Sequence, residues 1–462
     1  MSERTFGQHD AARLPAARLA AYASVGVPLA TAGLPLAVYL PPIYAEHYGL
    51  SLTAIGFIFL LGRLWDAVSD PLVGALSDRT RTRFGRRKPW IAAGGPIFGI
   101  AAVLLFFPVG AVTPLSLGAV LFLFYLGWTM IQIPYMAWSG ELSSHYHERT
   151  RVATYTQVAS SAALVIALVL PTILDQVQPG NASLKLAGMG ALVIATLVPS
   201  LPLTLASFRE TLPTRHAGHP APGFRETITA VAREPLLLRV LGSDFAVTLA
   251  QNIRGALFVF FVSHYMGLPH WASALFLVQF VFGVFAGPIW MKIGQRFGKH
   301  QTAVAGELVQ VAINFGLLLV TPDALALLIG LSIAQGLAQG SANLMLRSIV
   351  ADVADKNRLD TGIDRTGLFF SVFSLAGKAA TAAAVGIALP LVAWLGFDPR
   401  AENTAEALNS LLLVFALGPA LAHLLSAALI YGFPLDESRH GDIRRQLAER
   451  DAAAAAAAVA AE

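Results

Sequence analysis

Two acidic residues are placed to do chemistry together. In the stretch Arg63-Leu-Trp-Asp-Ala-Val-Ser-Asp-Pro71, Asp66 and Asp70 stand four residues apart inside an apolar segment. On a helix that spacing puts both on one face, about one turn from each other. Two carboxylates that close in a low-dielectric setting do not both ionise without help. A Na⁺ ion, a shared proton or a neighbouring cation must offset the repulsion. Na⁺ is a hard cation that takes oxygen ligands, which carboxylates supply. Arg63, one turn before Asp66, offers a second reading, a fixed ion pair. Ionisable groups inside a membrane mark ion or substrate pathways, so a seat for a coupling ion, H⁺ or Na⁺, is the expectation.

Other polar positions recur at helical spacing. Asp244, Thr248, Gln251 and Arg254 follow at intervals of four, three and three, which keeps them on one stripe of an apolar span. Arg254 lies about 18 residues into that span, or about 27 Å of rise, within the depth of a membrane. An arginine there is costly and is expected to face a cavity. Its planar fork suits a carboxylate, sulfonate or phosphate, and pairing with Asp70 or Asp244 in a gate is the alternative. Gln335, Gln339, Asn343 and Arg347 repeat every four residues, one polar face that reads as cavity lining. Trp128 is able to stack on a sugar ring, though an aromatic in an apolar span also serves packing. The arginines between 79 and 87, with Asp78 and Glu141, are expected to form gating ion pairs. Arg63, Arg86, Arg149, Asp352 and Arg365 join that gating set. His145 and His147 are too few for a metal site and read as solvated loop residues. No nucleophile–base constellation appears, so an enzyme is not expected, nor any cofactor beyond the coupling ion.

The elements that must position these residues follow from composition. Of 462 residues 55% are hydrophobic and only 13% charged. A polytopic helical membrane protein is the class that fits. Apolar runs predict spans near 17–44, 52–77, 89–110, 114–140, 152–174 and 183–207. A second set falls near 236–264, 271–293, 301–321, 324–351, 366–396 and 408–433. The formal charge of +4 does not point to nucleic acid, because Lys and Arg concentrate in alternate loops. The loop 79–88 carries six basic residues and no acid, which predicts a cytoplasmic position. Both termini then fall on the cytoplasmic side of a cell inner (plasma) membrane. There are no cysteines, so neither disulfides nor thiolate metal sites are available. The first span lacks a small-residue cleavage site and is expected to be retained. The domains expected are a cytoplasmic segment 1–16, a bundle 17–208, a polar linker 209–235, a bundle 236–434 and a tail 435–462. The tail ends in an alanine run with helical propensity and little to pack against. The expected partners are a small-molecule substrate and bilayer lipid, with the chain a monomer.

Six spans, a linker and six spans suggest a repeat. The second span ends in Phe84-Gly-Arg-Arg-Lys88 and the eighth in Phe297-Gly-Lys-His300. Gly140-Glu141 followed by Glu148-Arg-Thr-Arg151 matches Ala351-Asp352 followed by Asp364-Arg-Thr-Gly367. Such a duplication predicts an all-α major facilitator fold of 12 helices in two six-helix bundles, with substrate bound between them near mid-membrane.

The motif Gly74-Ala-Leu-Ser-Asp78-Arg79 with Gly85-Arg86-Arg87, preceded by Trp65-Asp-Ala-Val-Ser-Asp-Pro71, resembles that of the glycoside–pentoside–hexuronide:cation symporters, the melibiose-carrier-like family. Ile133-Pro134, Glu148-Arg149 and Gly367-Leu-Phe-Phe-Ser371 with Lys378 agree. The resemblance implies that Asp66 and Asp70 ligate the coupling cation, that Thr129 assists, and that Lys378 lies near cation and substrate. It also implies alternating access by rocking of two bundles. Gln132 stands where the family's pattern has an acid, Met136 where it has a tryptophan and Gln157 where it has an arginine. The family's span-one acid falls in the apolar stretch 27–30. The family's machinery is thus expected without its galactoside clamp, and fewer anionic ligands shift the expectation towards protons. Arg254 and Lys378 predict a small polar anion as cargo: a hexuronide, an acidic glycoside or an organic acid. Gln132, Gln157, Gln251, Gln339, Asn343 and Trp128 complete the expected substrate set. The alternatives are a lysophospholipid carrier of the same fold and a non-transporting membrane scaffold or sensor.

Overall fold

The computed structural model describes residues 14–143, 146–210 and 229–461. Residues 1–13 of the N-terminal segment, most of the linker and His145 lie outside the described residues, as does the side chain of His147. With no water in a bilayer core to satisfy peptide groups, apolar runs of this length must close their hydrogen bonds within themselves, as helices. Among the described residues, 12 helices are long and apolar enough to cross a membrane.

The first span is built from α1 (Ala16–Ala23), α2 (Gly26–Val38) and α3 (Leu40–Glu46). Proline has no N–H to give and crowds the preceding turn, and Pro28, Pro35 and the Pro41-Pro42 pair punctuate this span. Then come α4 (Leu52–Arg79), α5 (Lys88–Phe106), α6 (Pro114–Glu141), α7 (Tyr146–Val177) and α8 (Ala182–Ser207). Helix α6 starts on a capping box, the Thr113 hydroxyl accepting from the Ser116 N–H. The second set is α9 (Pro235–Phe260), α10 (Ala272–Phe297), α11 (Lys299–Gly316), α12 (Leu325–Ala338), α13 (Ser341–Thr361), α14 (Thr366–Trp394) and α15 (Ala405–Ile430). A last helix, α16 (Glu437–Ala461), covers the tail.

One element departs from expectation. The tenth span is not a continuous helix over 324–351 but the pair α12 and α13. Gln339 is extended (φ −65°, ψ 140°) and Gly340 is left-handed at φ 84°. Only a residue without Cβ takes that conformation at little cost, so the glycine fixes the place of the break. The polar positions 335, 339, 343 and 347 therefore do not share one helical face.

The chain forms two compact units. The first comprises Met1–Leu36, Val68–Pro171 and Ala182–His216. The second comprises Ala37–Ala67, Thr172–Asn181 and Ala217–Glu462. In the first, α5 and α6 touch through small residues: a Cβ on Gly127 would lie 2.5 Å from the Phe98 nitrogen. Such close approach is how membrane helices gain packing energy where lipid is as apolar as leucine. In the second unit a Cβ on Gly336 would lie 2.2 Å from the Gln279 carbonyl oxygen, which sets α12 on α10. Gly56 of α4 meets Pro390 of α14, and Gly386 of α14 meets Leu60. Those small-residue seams are why Ala37–Ala67 clusters with later helices rather than with the bundle 17–208.

Candidate functional site

Helix α4 runs unbroken from Leu52 to Arg79, past Pro71, so Asp66 and Asp70 stand one turn apart on a single helix. Asp66 is buried, and its carboxylate lies 3.5 Å from Lys378 Nζ of α14. Arg63 Nη1 is farther, at 4.0 Å. Asp70 accepts a 2.9 Å hydrogen bond from Thr129 Oγ1 of α6. Thr129 is fully buried and itself accepts from Ser69 Oγ at 3.4 Å. Asp66 thus meets cationic groups and Asp70 the Thr129 hydroxyl, and carboxylate and hydroxyl oxygens suit a hard cation or a proton. Thr129 and Lys378 each lie against one of the two aspartates.

Most gating candidates fall at helix ends, whereas Arg63 lies within α4 and Asp352 within α13. Arg87, 5% exposed, pairs with Asp78, donates to Ser77 Oγ at 2.7 Å and reaches Glu141 at 3.0 Å. Arg86 reaches the same Glu141 oxygen at 2.6 Å. The backbone N–H groups of Arg86 and Arg87 both donate to Glu210 Oε1 at 2.8 Å. A carboxylate at the start of α5 answers the free N–H groups and positive end of that helix. Glu210 was hidden by its place in a polar linker; an acid directly after the sixth span is the signal that identifies it. Arg149 donates to the Ser143 carbonyl at 2.8 Å, while Arg151 is the partner of Glu148 at 2.7 Å. Asp352 pairs with Lys299 at 2.6 Å and meets His440 at 3.4 Å. Arg365 directly precedes α14 without a side-chain bond to its first turn, and lines a cavity of about 840 Å³ with Arg233, Glu234 and Lys356.

The expected substrate residues separate into two groups. In the first unit, Trp128 donates through Nε1 to Gln132, one turn on, and its ring packs at 5.9 Å from Phe98 and 6.0 Å from Phe124. Gln157 donates to Ser161 at 3.2 Å. In the second unit, Gln251 Nε2 donates to Asn343 Oδ1 at 2.9 Å, and Gln279 Nε2 to Gln339 Oε1 at 3.4 Å. Gln279 is an addition; a lone amide in the apolar eighth span was its only sequence signal.

Arg254 is 3% exposed, and Nη1 donates to Asn314 Oδ1 at 3.1 Å. Its guanidinium carbon lies 5.3 Å from the centre of the Phe415 ring, a cation–π contact. Nε and Nη2 have no hydrogen-bond partner among the described residues. Along α11, Glu307, Gln310 and Asn314 fall at intervals of three and four, each at most 2% exposed. Glu307 meets His423 Nδ1 of α15 at 2.8 Å. Arg254 therefore belongs to a buried polar ladder among α9, α11 and α15. Its stripe with Gln251 is broad, and the two side chains turn to different neighbours.

Comparison with known proteins agrees with this architecture. The profile of a family described as "MFS/sugar transport protein" matches residues 21–437. The chain is 26% identical to a "putative glycoside/cation symporter" of Escherichia coli (strain K12), YagG, across 89% of this chain and 90% of that protein. It is 24% identical to the "sodium-dependent lysophosphatidylcholine symporter 1-A" of Danio rerio, across 92% of this chain and 87% of that protein. Among solved structures, the nucleoside transporter NupG superposes with a TM-score of 0.67 at 11% identity, covering 90% of this chain and 100% of that one. The fold is the major facilitator fold. With a matching profile along nearly its whole length, its helices arranged as that fold requires and its acidic pair on the second span, the chain belongs to the MFS/sugar transport protein family.

Proposed function

We propose that this protein is a secondary active symporter that moves a small polar solute together with H⁺ or Na⁺ by alternating access. The observation that carries the reading is the pair Asp66 and Asp70 on an unbroken α4, with Thr129 Oγ1 on the Asp70 carboxylate at 2.9 Å. Asp66, Asp70 and Thr129 are the proposed cation ligands. The ion pairs of Arg86, Arg87, Asp78 and Glu141, and of Lys299 and Asp352, are the proposed latches. The basic loop 79–88 supports a cytoplasmic location for that face, with the chain in a cell inner (plasma) membrane.

An anionic cargo rests on Arg254 and Lys378. Lys378 lies 3.5 Å from Asp66 and Arg254 bonds Asn314, so an anion at either has a partner to displace. A hydroxyl-bearing solute, acidic glycosides and hexuronides among them, exchanges in the same way with the amide pairs Gln251–Asn343 and Gln279–Gln339, which both donate and accept. The similar zebrafish protein makes a lysophospholipid the rival cargo.

Uptake into proteoliposomes under an imposed Na⁺ or H⁺ gradient tests the reading, with labelled hexosides, hexuronides and lysophosphatidylcholine as probes. Wild type is expected to concentrate a hexoside or hexuronide, and Asp70→Asn to lose concentrative uptake while retaining exchange. Concentrative uptake by Asp70→Asn contradicts the coupling site; uptake of the lysophospholipid alone contradicts the cargo.

A further inference from the structure

We propose that the outer groove between α5 and α8 holds one anionic phospholipid, with its phosphate among Arg83, Lys88 and Arg209. Such a lipid is neither cargo nor coupling ion, and its binding does not depend on the symport reading.

The turn that follows α4 is closed on itself. Thr82 N donates to the Gly85 carbonyl at 3.3 Å and Gly85 N to the Thr82 carbonyl at 3.1 Å. The Thr82 hydroxyl donates to the same Gly85 oxygen at 2.7 Å. Gly85 has φ 111°, and a Cβ there would also lie 2.1 Å from Glu210 Oε2, so a glycine is required twice over. The turn holds Arg83 and Phe84 at its tip, the guanidinium carbon 4.6 Å from the centre of the Phe84 ring.

The one acid of the neighbourhood is already engaged. Glu210 accepts from the backbone N–H groups of Arg86, Arg87 and Lys88 at 2.8, 2.8 and 3.2 Å, the donors that open α5. The cationic side chains around it are not so matched. Among the described residues Arg83, Lys88 and Arg209 make no ion pair, and Lys88 Nζ rests 5.4 Å from the centre of the Trp138 ring. Arg83 therefore stands outside the gating pairs of Arg86 and Arg87. All three cations line an open cavity of about 620 Å³ together with Phe84, Ala92 and Leu205.

The helices behind this cavity touch directly, since a Cβ on Gly95 of α5 would lie 2.3 Å from the Leu201 side chain of α8. Each leaves an apolar stripe exposed. On α5 it is Ala92, Pro96, Ile100 and Val103, at intervals of four, four and three, and Lys88 heads it four residues earlier. On α8 it is Val198, Pro202 and Ala206, at intervals of four, and Arg209 follows three residues on. Two apolar stripes on membrane-spanning helices, both ending in cations at one cavity, match acyl chains ending in a phosphate. A free phosphate ion would meet the cations and gain nothing from the stripes. A choline headgroup would bring a further cation into a cluster that already has three. General attraction of a basic loop to an anionic surface needs no cavity and follows total charge, which separates it from a site of this kind.

Native mass spectrometry of the purified full chain in detergent tests this, with dioleoylphosphatidylglycerol, dioleoylphosphatidylcholine and inorganic phosphate as probes. One phosphatidylglycerol is expected to bind about ten-fold more tightly than phosphatidylcholine, and phosphate alone is not expected to bind. Arg83→Gln combined with Arg209→Gln should weaken phosphatidylglycerol about ten-fold, while the same pair changed to Lys keeps most of the binding. Ala92→Trp fills the groove without altering a charge and should weaken it as well. Arg18→Gln combined with Lys292→Gln removes the same charge from exposed positions outside the cavity and should leave binding unchanged. Unfolding midpoints without lipid establish that each variant is folded. Equal binding of the two lipids overturns the proposal, as does binding of phosphate in place of lipid. So does an equal loss in the two charge-removing pairs, or undiminished phosphatidylglycerol binding in either the folded glutamine pair or folded Ala92→Trp.

Discussion

At the scale of single residues the chemistry lies in charges that burial forces into company. Asp66 has Lys378, Asp70 has Thr129, and Arg87 has Asp78, Glu141 and Ser77. Arg87→Ala leaves Glu141 with Arg86 alone and empties a buried position. Hydrogen bonds to charged groups contribute about 1.5–3 kcal/mol, and the partners here are partly solvated. A loss of about 1–3 kcal/mol is expected, read as a lower unfolding midpoint in detergent, with Arg87→Lys recovering part of it. An unchanged midpoint contradicts a latch at this position. The acidic pair was legible because acids are rare in apolar runs and their spacing is local. Arg254 was legible only as a buried cation. Its partner Asn314 lies 60 residues away on another helix, and no spacing rule reaches that far. Glu210 escaped for the same reason: its role comes from the α5 N–H groups, more than a hundred residues earlier.

At the scale of elements, the apolar runs place all twelve spans, most within a few residues and the tenth ten residues short of its end at Thr361, because a bilayer permits little other than helix. The break between α12 and α13 was not legible. A glycine inside an apolar run is common in membrane helices, and only the backbone at Gly340 distinguishes this one. The two glycines flanking the break make separable predictions. A methyl at Gly336 meets the Gln279 carbonyl at 2.2 Å, so Gly336→Ala should cost about 1–3 kcal/mol through overpacking. A methyl at Gly340 meets nothing within 4 Å, and Gly340→Ala should cost about 1–2 kcal/mol through its left-handed backbone alone. Gly287→Ala, also with nothing within 4 Å and on a regular helix, should cost almost nothing. Unfolding midpoints for the three variants check the order; equal midpoints contradict it.

At the scale of the molecule, the chain forms two compact units, and one unbroken helix, α4, carries both aspartates. A transporter needs an ion seat whose occupancy is felt by the parts that move, and a ligand shifts an equilibrium only by its differential affinity for the two states. Asp66 and Asp70 are the groups through which a cation does that in this account. The most direct measurement is the cation response of the purified protein. Unfolding midpoints are followed against Na⁺, with choline as control, and against pH at fixed choline, for wild type, Asp66→Asn and Asp70→Asn. Ligand stabilisation rises with occupancy, so wild type should respond to Na⁺ over choline or to protonation, and both variants should lose that response. A wild-type response carried unchanged by Asp70→Asn would place the ion elsewhere and contradict the account.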